Sequence, residues 1–136
     1  MMLDFIDEPL ERGSIWLRNG GIATLASYGI TGVSAKAKRD QMLDVSTTFE
    51  AALPVGLLKW MRKLPLSWNS GNIWCVHAAM DPASAPQVQD AKSLLWGHRA
   101  FLENARDDGI CVVHGHTIVD APLNMNSRIA IDTGAY

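Results

Sequence analysis

The sequence predicts an α/β fold in which helical segments precede a strand-rich half. Ile73-Trp74-Cys75-Val76 and Cys111-Val112-Val113 are continuous apolar runs, the pattern of strands covered on both faces. Each run ends in histidine and small residues, as His77-Ala78-Ala79 and His114-Gly115-His116-Thr117. Apolar residues spaced for helices fill the stretch before them. The 136 residues are 48% hydrophobic and 19% charged, which allows a packed core and argues against disorder. That length suits one domain or part of one. A net charge of −2 without a basic block argues against nucleic acid or an anionic membrane as partner. The start carries Asp4, Asp7, Glu8 and Glu11, unlike a signal peptide. No apolar run approaches the roughly 18 residues of a membrane span. A soluble, cytoplasmic chain is expected, with Cys75 and Cys111 as buried free thiols.

In chain order, residues 1–11 read as a short amphipathic helix through Met2, Phe5, Ile6 and Leu10, weakened at its end by Pro9. Ser14 reads as the cap of the next turn. Asn19-Gly20-Gly21 forces a turn, residues 22–28 resume the helix, and Gly29 stops it. Arg18 beside that turn reads as solvated. Residues 31–39 read as a surface loop. Residues 40–52 predict a helix with Met42, Leu43, Phe49 and Leu53 inward. Pro54 opens another helix, packed by Leu57, Leu58, Trp60, Met61 and Leu64, with Lys59, Arg62 and Lys63 in water. Residues 67–73 carry the turn chemistry of a hairpin whose second strand leads to His77. Residues 80–86 are a proline-bearing loop, and 90–101 hold the apolar knot Leu94-Leu95-Trp96 before Gly97-His98-Arg99. Asp107-Asp108-Gly109 turns into the strand at Ile110. Residues 121–124 read as loop. Residues 128–132 read as a strand ending at Asp132, followed by a turn at Thr133-Gly134.

Strand ends in open α/β sheets are where ligands bind, and neutral imidazole is a common ligand for zinc, iron and manganese. His77 and His116 come from separate strands, and Asp132 ends a third, so one metal site assembled in space is one reading. Hydrogen-bonded structural histidines are the other. Two histidines would need further ligands to complete a site.

Val76-His77-Ala78-Ala79, Leu94-Leu95-Trp96-Gly97-His98-Arg99, Val113-His114-Gly115-His116-Thr117 and Ala130-Ile131-Asp132-Thr133-Gly134-Ala135 occur in the order and spacing of a known family. The set resembles the carboxyl-side portion of bacterial and phage-type serine/threonine protein phosphatases, in the calcineurin-like metallophosphoesterase superfamily. Trp16-Leu17-Arg18-Asn19-Gly20-Gly21 resembles that family's cap segment. The resemblance implies part of an α/β/β/α sandwich with helical cap segments. It implies a single incomplete domain, with residues 1–66 as cap region and 67–136 as the half bearing the metal histidines. It implies hydrolysis of phosphomonoesters, with a phosphoprotein or small phosphoester as substrate, by two divalent ions. Manganese is expected, with iron or zinc as alternatives. His77 and His116 carry over as ligands of the second ion, and Asp132 as a structural residue behind the site. His114 would stand just before the motif, either supporting the ligands or serving a plain structural role.

Relatives place arginine two residues after the tryptophan to grip phosphate. His98 stands there in this chain, with Arg99 next, so both are candidate phosphate contacts, a plain surface charge being the other reading of Arg99. Ala79 replaces a glycine. The family's upstream D-x-H, G-D-x-x-D-R and G-N-H-E motifs do not occur in these 136 residues. Relatives run from G-N-H-E into a segment like Met1-Met2-Leu3-Asp4. Met1 is therefore expected to be internal to a longer chain, and Tyr136 to stand where a closing strand begins. A fragment nearly inactive alone is expected, with no confident catalytic residue of its own. Self-association through an exposed sheet edge is also expected. A dinucleoside tetraphosphate hydrolase and a non-catalytic binding module are the rival readings.

Overall fold

The computed structural model describes residues 1–134, so the closing strand expected at Tyr136 and the last residue of the Ala130–Ala135 stretch lie outside the described residues. The chain divides into two compact units, residues 1–64 and the residues from Pro65 onward. Among the described residues no helix is long and apolar enough to cross a membrane.

The first unit is helical: α1 (Met2–Asp7), α2 (Pro9–Trp16), α3 (Ile22–Ser27), α4 (Arg39–Ala52) and α5 (Leu57–Met61). Pro9 does not weaken the first helix. The chain breaks at Glu8, and Pro9 starts α2, where its missing N–H costs no bond. Ser14 is not a cap either. It lies inside α2, and its hydroxyl donates to the Ala35 carbonyl at 2.8 Å. The expected turn forms at Asn19 and Gly20, both out of helical geometry, with Gly20 at φ +92°. Gly21 then passes so close to Trp16 that a Cβ would stand 2.7 Å from the Trp16 carbonyl oxygen. Phe5 stacks on Trp16 with ring centroids 4.5 Å apart, and Phe49 packs beside both, with Leu17, Leu25, Met42 and Val45 completing the core. Each such buried side chain contributes about 1.5–3 kcal/mol. Three inward assignments fail, Leu64 among them, exposed and beyond the end of α5. Leu43 and Trp60 are exposed, because Val45 and Ser46 take the buried stripe of α4 and α5 is only five residues long. Gly56, at φ +84°, delays the start of α5 to Leu57.

The second unit is a mixed five-stranded sheet with helices, an α/β arrangement. Its strands are β1 (Ser67–Ser70), β2 (Ile73–Val76), β3 (Cys111–His114), β4 (Leu123–Met125) and β5 (Arg128–Ala130), in the order β1-β2-β3-β5-β4. The hairpin β1–β2 forms around Gly71-Asn72, as predicted. The Asn72 side chain also donates to the Gly109 carbonyl at 2.9 Å, which ties the hairpin to the turn before β3. Between β2 and β3 the chain makes α6 (Ala91–Trp96) and α7 (Arg99–Glu103), and β2 pairs parallel to β3. Asp90 caps α6, accepting from the Ser93 backbone at 3.0 Å. β3 also pairs parallel to β5, so three strand ends point the same way.

β4 falls where a loop was expected. Asn126 and Ser127, at φ +54° and +59°, close a two-residue turn between β4 and β5, the conformation that matches strand twist. The strands are also not covered on both faces. By register, Trp74, Val76, Val112, His114, Arg128 and Ala130 share one face, where Leu94 of α6 and Phe101 of α7 pack. Cys75 and Cys111 lie on the other face, free and half-buried rather than buried, near the exposed Trp68 and Ile73.

Candidate functional site

The parallel pairing of β2, β3 and β5 gathers the residues that follow each strand. The Gly115 backbone N–H donates to the His77 carbonyl at 3.0 Å, and Ile131 N–H donates to the His114 carbonyl at 3.0 Å. A Cβ on Gly115 would lie 3.5 Å from both the Asp132 side chain and the His77 carbonyl. These contacts bring His77, His116 and Asp132 together at the carboxyl ends of the parallel strands. His116 follows in a tight turn. Its φ is +64°, and the Thr117 N–H donates back to the Gly115 carbonyl at 2.7 Å. This is the rare three-residue turn, strained for any residue with a Cβ.

The His77 and His116 rings lie with centroids 5.1 Å apart at 65°. Both side chains are exposed, and among the described residues neither ring makes a hydrogen bond. A metal–nitrogen bond of about 2.1 Å puts each ring centre roughly 3.2 Å from a shared ion, so tetrahedral or octahedral angles separate the centres by about 4.5–5.2 Å. The observed spacing falls in that window. It also suits an edge-to-face ring pair. Among the described residues no group of three or more His, Cys, Asp or Glu side chains gathers to hold an ion.

Asp132 is half-buried, and its Oδ1 accepts from the Gly134 N–H at 3.0 Å, so one carboxylate oxygen shapes the turn after β5. His114 points into the packed face, 2% exposed, edge-on to Phe101 at 4.9 Å. Its Nδ1 lies 3.1 Å from the Gly115 carbonyl, so its link to His116 runs through the backbone. Burial lowers the His114 pKa, the Arg128 charge lowers it further, and the Gly115 carbonyl opposes both. The folded state therefore resists protonating His114 while the unfolded chain accepts the proton near pH 6.5. Stability is expected to fall as pH drops below about 6.5. Urea midpoints at pH 7.5 and pH 5 should show that loss, and His114→Gln should shrink it. An unchanged difference in the variant would assign the loss elsewhere.

His98 stands just before α7, and Arg99 is that helix's first residue, exposed and without a hydrogen-bond partner among the described residues. Two residues outside the expected set also belong here. The Trp96 ring meets His116 edge-on at 6.4 Å, and its motif had marked it only as an apolar anchor. Asp81 stands 4.0 Å from His98, and only its place in a proline-bearing turn soon after His77 hinted at a role. The segment after β2 is held against α6 by the Ala78 N–H, which donates to the Leu94 carbonyl at 2.8 Å.

No family model and no curated protein matches the chain.

Proposed function

We propose that this chain supplies the two-histidine side of a metal-dependent phosphomonoesterase centre, of the serine/threonine protein phosphatase kind within the calcineurin-like metallophosphoesterases. The observation that carries the reading is the 5.1 Å spacing of two accessible imidazoles at the ends of neighbouring parallel strands. The ordered motifs around them support it. The five-stranded sheet with helices packed on one face supports it as one sheet and helical layer of a sandwich.

His77 and His116 would hold a divalent ion, with manganese the first candidate. Such an ion supplies Lewis-acid polarisation of a phosphoryl oxygen. Trp96 would screen one side of His116 from water, and His98 and Arg99 would meet the phosphate. Phosphoserine and phosphothreonine in proteins are the proposed substrates. Two imidazoles do not orient a nucleophile, so the 136 residues alone are expected to hydrolyse phosphate esters near the uncatalysed rate. A second reading, a phosphate-binding module without chemistry, is favoured by the lack of a third ligand among the described residues.

The test is a manganese titration followed through the imidazole NMR signals. The His77 and His116 signals should broaden together, ahead of His114. Separate or absent broadening would remove the shared ion and the reading with it. Hydrolysis of a chromogenic phosphate ester, assayed in parallel, should stay near the buffer rate. Robust turnover that needs His116 would uphold the phosphatase and overturn its incompleteness.

A further inference from the structure

The turn after His77 is more tightly built than a connecting loop requires. Asp81 Oδ1 accepts from the Ala83 N–H at 3.0 Å, and Oδ2 accepts from the Ser84 hydroxyl at 2.6 Å. The Gln89 amide holds the same residue's backbone from both sides. Its oxygen accepts from the Asp81 N–H at 2.6 Å, and its nitrogen donates to the Asp81 carbonyl at 3.0 Å. Arg106, itself buried, donates to the Asp81 and Ser84 carbonyls at 2.9 Å each and pairs with Asp108. Four side chains, Ser84, Gln89, Arg106 and Asp108, together with the Ala83 backbone thus hold the turn and its carboxylate in place.

That carboxylate faces His98. The gap from Asp81 Oδ1 to His98 Nδ1 is 4.0 Å, too long for a hydrogen bond but within ion-pair range. Nδ1 is fully buried and has no hydrogen-bond partner, an arrangement that costs free energy unless something completes it. The His98 side chain is nonetheless 34% exposed, so its accessible edge is the one away from Asp81. Nε2, on that edge, has no hydrogen bond among the described residues and is not among the buried unpartnered atoms. The Ser84 hydroxyl and then the Ala83 N–H lower the Asp81 pKa against opposing burial, with the His98 and Arg106 charges adding to the effect, so the carboxylate is ionised at neutral pH.

We propose that Asp81 is a positioning residue that holds His98 as an oxyanion-binding arm at the rim beside His77 and His116. The ligand class, a phosphoryl group, rests on the phosphoesterase reading of that site. When a phosphoryl group arrives, the imidazole donates through Nδ1 to Asp81 and presents Nε2 to the phosphoryl group. A ring movement of about 1 Å turns the present near-contact into a charge-assisted hydrogen bond. The arm is placed next to the site along the chain: Trp96, two residues before His98, lies against His116, and Ala78, three before Asp81, is bonded to Leu94.

The experiment is a titration of the 136-residue chain with inorganic phosphate, read through the His98 imidazole NMR signals. It compares the wild type, Asp81→Asn, His98→Gln and the double variant. Phosphate should move the His98 signals in the wild type. Asp81→Asn should weaken phosphate binding by about three- to tenfold, as should His98→Gln, and the double variant should be no weaker than His98→Gln alone. That non-additivity separates positioning from a general loosening of the turn, which would add. His98→Gln leaves the Asp81 bonds to Ser84 and Ala83 in place, so it remains readable if Asp81→Asn disturbs the turn. Silent His98 signals in the wild type, or an Asp81→Asn affinity within about twofold of wild type, would overturn the proposal. The manganese titration separates the two readings. His77 and His116 responding to manganese while His98 ignores phosphate would overturn only this arm. A phosphate response at His98 without manganese binding would overturn only the metal site.

Discussion

Arg128→Ala is expected to destabilise the strand-bearing unit by about 3–5 kcal/mol, as much as the loss of a buried aromatic. Arg128 is 6% exposed and has no carboxylate partner among the described residues. Its guanidinium instead donates to three carbonyls at the end of α7: Phe101, Leu102 at 3.0 Å and Asn104 at 3.0 Å. Helix ends leave carbonyls without partners, and a short helix cannot lose them to solvent when its inner face is buried. The planar fork serves several acceptors at once while lying 5.4 Å from the Phe101 ring centre. Alanine removes the donors, the stem and the cation over the ring, and strands the carbonyls beside a buried phenylalanine. Small domains hold only about 5–15 kcal/mol in total, so this loss removes a large share of the unit's stability. Arg128→Met keeps the stem volume and isolates the hydrogen bonds, and should lose about 2–4 kcal/mol. Arg128→Lys should recover less than half of the alanine deficit, since one ammonium cannot span three carbonyls. Urea unfolding of the three variants reads the series directly. A loss under about 1 kcal/mol in Arg128→Ala would mean that water satisfies those carbonyls and that α7 is held by other contacts.

Arg128 also marks where sequence reasoning reached its limit. The strand around it was legible from Ile129-Ala130-Ile131, but a charged residue at its start reads as solvated. Only the register, which places Arg128 beside Val112 on the packed face, shows that it is interior. The hairpin at residues 67–76 was legible because Gly71-Asn72 carries its own turn chemistry, and β3 because its apolar run is unbroken. β4 was not legible. Leu123, Asn124 and Met125 are all exposed, and what makes them a strand is pairing with β5 through two left-handed residues. His77, His116 and Asp132 could be placed at strand ends because parallel strands deliver their ends to one side. Asp81 and His98 could not be paired, because their approach depends on how a loop and a helix junction fold together in space. Pro9 shows a smaller ambiguity of the same kind. A proline both ends one helix and begins another, and only the break at Glu8 says which.

His116 is where fold and proposed chemistry separate most cleanly, and His116→Gly is the substitution that separates them. At φ +64° a residue with a Cβ sits in the left-handed region, and histidine tolerates it better than most but not as well as glycine. Glycine relieves that strain but adds freedom to the unfolded chain, and the two effects nearly cancel. The ring is exposed, with His77 and Trp96 as its aromatic neighbours, so little packing is lost. His116→Gly is therefore expected to leave the urea midpoint within about 1 kcal/mol of wild type. Its effect on manganese should be large. A two-imidazole site becomes a one-imidazole site, and affinity should fall by at least about tenfold, or 1.4 kcal/mol. His116→Ala should lose the same affinity and also some stability, because alanine keeps the strained Cβ without the ring. A stable glycine variant with wild-type manganese affinity would remove His116 from any metal site and leave the 5.1 Å pair as edge-to-face packing. An unfolded glycine variant would instead show that the His116 ring, through Trp96, holds the junction of α6 against the strand ends. The combination of retained fold and lost affinity is the result that only a ligand on a strained turn produces.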